Sequence, residues 1–226
     1  IVQDLGEAIH EHQHVLFTGE PGVGKTCTLR ALRRSLSESS FRLTYCHNAT
    51  LKKRDFYRQL CMMFELPPKA SAASLFLGIS AHIESLGRER VHPVLLLDEA
   101  HLLPQDVLEH LHILGNYAWD SDPLLSIVLV GLPELWTRLS LGRNRSFWSR
   151  IGTKINLGEA DPTDTNEYIE YRMTEAGCTR AVFSSDALSL IHEAAQGRLR
   201  DIDRTATLGL KTAARKKLKL VDGELM

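Results

Sequence analysis

At 226 residues, with 43% hydrophobic and 24% charged content, the chain is long enough to bury a real core as one large domain or as a medium domain with a small companion. It contains no apolar run near the roughly 18 residues of a spanning helix, which excludes a membrane crossing within it. A net charge of -1 excludes a global attraction to nucleic acid, so polyanion binding has to come from local patches.

The chain opens at Ile1 without Met or a basic-then-apolar leader, and reads as trimmed rather than secreted. Ile1 to His12 reads as the end of a helix, with Val2, Leu5, Ala8 and Ile9 on one face. A first strand, His14 to Thr18, runs into Gly19-Glu20-Pro21-Gly22-Val23-Gly24-Lys25-Thr26, which fits G-x-x-x-x-G-K-[ST] without a substitution. A helix-forming run from Cys27 to Leu36 follows, completing the strand-loop-helix context. Glycines at 19, 22 and 24 are expected to turn the backbone at positive φ, so that successive N–H groups face phosphate oxygens beside the positive end of the helix. Gly19 to Cys27 therefore forms the expected nucleotide cradle. Lys25 reaches the β- and γ-phosphates, and the Thr26 hydroxyl completes the shell of Mg²⁺.

After a polar break at Ser37 to Ser40 comes a second strand, Phe41 to Cys46. Leu51 to Leu66 is predicted helical, with Phe56, Leu60, Met63 and Phe64 as its stripe and Pro67-Pro68 as its stop. Lys52, Lys53 and Arg54 stand at its start as a candidate contact to DNA phosphates or as a solvated surface. Another helix, about Ala72 to Leu86, is expected to end at Gly87. Val94-Leu95-Leu96-Leu97 then closes on Asp98-Glu99, and a continuous apolar run of this length suits a strand covered on both faces. With the phosphate loop, it reads as a Walker B strand. Asp98 would hold Mg²⁺ directly or through water, and Glu99 would polarise a water for attack on the γ-phosphate.

Gln105 to Gly115 is predicted helical, Asp120 to Pro123 a turn, Ser126 to Val130 a fourth strand and Lys154 to Leu157 a fifth. A short helix follows Gly131, and Arg143, Arg145 and Arg150 surround a Ser/Phe/Trp segment. Alternating strands and helices imply a parallel sheet with right-handed crossovers. From Asp161 the character changes to three helices, about Thr165 to Ala176, Ser185 to Gln196 and Leu199 to Lys217. The expected division is therefore 1–160 as an α/β nucleotide-binding domain and 161–226 as a helical domain. Cys27, Cys46, Cys61 and Cys178 show no metal spacing, consistent with thiols in a reducing cytosol and hence a cytoplasmic protein.

In these motifs, together with Leu108 to Asn116, Ile127 to Leu135, Ser149-Arg150-Ile151 and Gly197 to Ile202, the chain resembles the AAA+ ATPases, more narrowly their ExeA-like and TniB/TnsC-like branch, over nearly its whole length. The resemblance implies an ATP- and Mg²⁺-dependent P-loop ATPase, slow alone. Its fold would be a five-stranded parallel sheet in the order 5-1-4-3-2 with a small helical lid. It implies that Arg200 touches the γ-phosphate from the lid, the alternative being a surface pair with Asp203. It makes Arg150 the finger completing a neighbour's site, with Arg143 and Arg145 as competitors. One departure stands out: the branch's polar residue after the fourth strand is replaced by Gly131, leaving water positioning to Glu99 and to contacts such as Asn48. The implied partners are further copies in a ring or helical oligomer, double-stranded DNA, and a transposase or target selector. The alternatives are an ExeA-like role in secretion-complex assembly and a nucleotide-switched scaffold with little hydrolysis.

Overall fold

Three strands are buried at every position, and that fixes the layering. The computed structural model describes residues 1–67, 71–117 and 122–225. β1 (His14–Gly19), β3 (His92–Leu97) and β4 (Ser126–Gly131) have no exposed residue, whereas β2 (Phe41–Cys46) and β5 (Ile151–Leu157) mix buried and exposed positions. Strands covered on both faces belong in the middle of a parallel sheet. The five parallel strands lie in the order β2-β3-β4-β1-β5, the expected 5-1-4-3-2 arrangement read from the other edge.

The described chain divides into two compact units, Ile1–Gly19 with Lys25–Asn156, and Glu20–Gly24 with Leu157–Met226. In the first unit, α1 (Val2–His10) and α2 (Lys25–Ser35) pack together and against β1, burying Leu5, Ile9, Leu29 and Leu32. A second layer is built by α3 (Lys53–Met63), α4 (Ala72–Arg88) and α5 (Gln105–Leu114). Phe56, Leu60, Ile79, Ile83, Leu108 and Leu111 from these helices share one cluster with Leu16, Leu95, Leu97, Ile127 and Leu129 of the sheet. Side chains alternate across a strand, so the intervening Val15, Phe17, Val94, Leu96, Val128 and Val130, all buried as well, turn to the other face. The short α6 (Glu134–Ser140) and α7 (Arg145–Trp148) precede β5.

Several expected boundaries move for identifiable reasons. α4 does not stop at Gly87 but runs to Arg88, and the left-handed residue that closes it is Arg90 at φ 59. Gly87 serves packing instead, since a Cβ there would lie 2.8 Å from Leu124 Cδ2. β3 starts at His92, two residues before the apolar run, and tolerates Pro93 because pairing to β4 begins only at Val94 with Ser126. β5 starts at Ile151, three residues before the expected Lys154. Pro68 and the first half of the expected 120–123 turn lie outside the described residues.

The second unit is helical: α8 (Pro162–Glu175), α9 (Ser185–Ala195) and α10 (Leu199–Arg215). Its core gathers Ile169, Ala187, Ile191, Ile202 and Val221. α8 begins at a reciprocal cap in which Asp161 accepts from the Asp164 N–H at 2.7 Å and Asp164 accepts from the Asp161 N–H. α9 ends on two left-handed residues, Gln196 at φ 51 and Gly197 at φ 69. A Cβ on Gly197 would run into the Ala160 carbonyl, so glycine is required there.

Candidate functional site

The register of the sheet brings the two sequence motifs of the first unit to one edge. Leu16 pairs with Leu129 and Leu129 with Leu97, so β3 ends level with Leu16, three residues before β1 ends at Gly19, and both strands run out at the same edge of the sheet with only β4 between them. Strands lie about 4.8 Å apart and rise about 3.3 Å per residue, so Asp98, two strands over and two residues back from Gly19, lies about 12 Å from it. Lys25 and Thr26 open α2 directly after the loop, where its first N–H groups have no helical partner and favour an anion. Lys25 Nζ donates to the Gly19 carbonyl at 2.6 Å, joining the two ends of the loop. Thr26 and Cys27 are exposed beside it.

Asp98 is buried to 9% exposure, and both its oxygens are engaged. Oδ1 accepts from the Glu99 N–H at 2.9 Å, and Oδ2 accepts from the Tyr45 hydroxyl at 2.7 Å. Tyr45 sits in β2 opposite Leu96, and its phenol is pushed up to about 12, first by burial and then by the hydrogen bond to Asp98. It therefore stays a donor throughout the neutral range. Glu99 is exposed and left-handed, φ 53 and ψ 34, a conformation that costs a non-glycine residue energy and is concentrated at active sites. Its Oε2 lies 3.5 Å from His101 Nδ1. Asp98 and Thr26 supply hard oxygen donors, which suit Mg²⁺.

In the second unit, Gly22 (φ 90) and Gly24 (φ 116) take the left-handed turns expected of the loop. Gly19 does not: it completes β1, and only two of the three motif glycines need their conformational freedom. A Cβ on Gly22 would lie 3.1 Å from Arg200 Cβ, and one on Gly24 3.0 Å from Leu199 Cδ1. The Arg200 N–H donates to the Gly22 carbonyl at 3.1 Å, so the start of α10 is tied to the phosphate loop by main chain as well as by contact. Glu20 and Pro21 are exposed and Val23 is buried.

Residues 9–139 match the AAA domain family, more than half of the chain. The chain belongs to the AAA domain family. Over 215 residues this AAA domain is 35% identical to general secretion pathway protein A of Aeromonas hydrophila, a match covering 93% of the chain and 39% of that protein. The fold is shared with Cdc6p of Pyrobaculum aerophilum at TM-score 0.73 and 20% identity, over 97% of this chain and 62% of that one. It is shared too with the ORC1 protein of Aeropyrum pernix, solved in complex with DNA, at TM-score 0.68 and 16% identity, over 99% and 62%. The chain thus spans well under half of its curated relative.

Asn48 Oδ1 accepts from both the N–H and the hydroxyl of Thr50, a local turn beyond β2. Arg150 donates to the Ser146 carbonyl at 2.8 Å, at the joint between α7 and β5, while Arg143 and Arg145 are exposed nearby. Asp203 is paired with Arg172 at 3.1 Å, and Arg200 is exposed. At the start of α3, Lys52 and Arg54 are exposed, and Lys53 Nζ lies 3.3 Å from His110 Nε2. Sequence reasoning missed Tyr45 and His101. The quartet Asp98-Glu99-Ala100-His101 and the bare Gly131 were the available signals for His101; nothing local pointed to Tyr45. No helix among the described residues is long and apolar enough to cross a membrane.

Proposed function

We propose that this AAA domain binds ATP with Mg²⁺ in the residue 19–27 cradle and hydrolyses it slowly, using the cycle to switch its own assembly. The observation that carries the proposal is the acid pair at the end of buried β3, at the same edge of the sheet as the end of β1 that feeds the phosphate loop and one strand removed from it. Lys25 would hold the β- and γ-phosphates, and Thr26 and Asp98 would hold the ion. When bound, Mg²⁺ neutralises charge on the phosphate oxygens. Glu99 would take a proton from water as that water attacks the γ-phosphorus; the bond to the bridging oxygen breaks, and ADP leaves with phosphate. Arg200 would stabilise the charge from its own chain, and Arg150 from a neighbouring copy in a ring or helical oligomer, a contribution of about 10³ to 10⁵ in rate where such fingers operate.

For the client, the 35% relative named general secretion pathway protein A supports a part in secretion, with this domain energising assembly of a secretion complex at the cell envelope. A second reading, favoured by exposed Lys52 and Arg54 at the start of α3, is a filament that grips double-stranded DNA and regulates a transposase or target selector. Both need ATP-dependent assembly; a scaffold that does not hydrolyse needs only binding.

Steady-state phosphate release and sedimentation, with and without duplex DNA, separate these readings. Glu99→Gln is expected to cut release at least about 100-fold while retaining ATP-driven assembly. Release unchanged by Glu99→Gln would point to the scaffold. DNA-dependent assembly that weakens steeply with salt would favour the transposition reading over the secretion one.

A further inference from the structure

The side chain that Gly131 lacks leaves space above the end of β4, and His101 occupies it. A Cβ on Gly131 would lie 3.2 Å from the His101 N and 3.3 Å from His101 Nδ1. His101 is held there from three sides. It belongs to a single helical turn, Ala100–Leu102, whose neighbours Ala100 and Leu103 are buried at 0% and 1%. Its carbonyl accepts from Arg138 of α6 at 2.9 Å. Its ring is only 11% exposed.

Within that packing, His101 Nδ1 is buried and makes no hydrogen bond among the described residues. Buried polar nitrogens are almost always satisfied, because leaving one bare forfeits its bond to water with nothing in return. An acceptor stands just beyond reach: Glu99 Oε2 at 3.5 Å, on a side chain that is half exposed. Closing that gap requires rotation of the Glu99 carboxylate alone, since the imidazole is fixed by its surroundings. Glu99 itself departs from β3 in the left-handed conformation.

We propose that His101 is a positioning residue for Glu99: Nδ1–H donates to the carboxylate and fixes the orientation from which Glu99 takes a proton from water. The inference rests on the reading of Glu99 as the base. It also accounts for the glycine at 131, because any larger residue there would displace the imidazole.

The test pairs kinetics with spectroscopy on the intact chain. His101→Ala is expected to lower kcat by about tenfold or more, leaving the Kd for a fluorescent ATP analogue and the Tm unchanged. His101→Asn, whose side-chain amide can donate from a similar place, is expected to recover most of the loss. In a Glu99→Gln background, His101→Ala should add nothing further. Without nucleotide, the ¹⁵N resonance of His101 Nδ1 should report a protonated nitrogen that shifts in Glu99→Gln. If Glu99→Gln abolishes turnover while His101→Ala leaves kcat unchanged, the positioning role is overturned and the base survives. If Glu99→Gln leaves turnover unchanged, the reading of the base has failed; the resonance then decides the contact, its shift supporting it and its constancy overturning it.

Discussion

His92 opens β3 and stacks flat on His12, ring centroids 3.8 Å apart, while its Nε2 shares a 2.9 Å hydrogen bond with Ser126 Oγ. Burial first, and then the repulsion of charge on His12 and His14, hold its imidazole down to about 3 from the usual 6.5. The folded chain therefore refuses a proton that the unfolded chain accepts. Its stability is unaffected by this group above pH 6.5 and falls as pH drops from 6.5 toward 3, by up to about 1.4 kcal/mol per pH unit. Urea midpoints across that range should fall more steeply for the wild type than for His92→Gln, which removes the titrating group. Equal slopes would contradict the assignment. At this scale the motif residues Lys25, Thr26, Asp98 and Glu99 were readable from spacing, because phosphate and metal chemistry dictates residue types at fixed offsets. Tyr45 was not: its bond to Asp98 depends on β2 lying beside β3 in the register Tyr45 with Leu96, which no local pattern encodes.

α3 stands on Phe56, Tyr57, Leu60 and Cys61, all buried, while Met62 is 66% exposed on the opposite side. Leu60→Ala should therefore cost about 2–5 kcal/mol, because the cavity it leaves lies between two helices and the sheet. Met62→Ala should change stability by no more than about 0.5 kcal/mol. A thermal or denaturant melt of the two variants checks both, and equal losses would contradict the packing. Elements with a strong period were legible: the apolar stripe announced α3, and the unbroken run Val94 to Leu97 announced a strand covered on both faces. Ends were less legible, since tertiary contacts set them. Gly87 looked like a stop but lies within α4 to make room for Leu124, and Arg90 takes the left-handed turn instead. The fifth strand was expected from Lys154 but already begins at Ile151, buried at 3%.

For the whole molecule, the parallel α/β architecture followed from alternating strands and helices around one phosphate loop, and its strand order from the family resemblance alone. The association of Glu20–Gly24 with the helical unit did not follow, because it arises from contacts between Gly22 and Gly24 and the start of α10, more than 170 residues away in sequence. Calorimetric titration of ATP into the chain, with and without Mg²⁺, measures the function of this assembly without reference to client or oligomer. The wild type should bind ATP more tightly with Mg²⁺ than without it, and Lys25→Ala should weaken that binding at least about tenfold while leaving the Tm of the nucleotide-free chain unchanged. ATP binding that is indifferent to both Mg²⁺ and Lys25 would contradict the site.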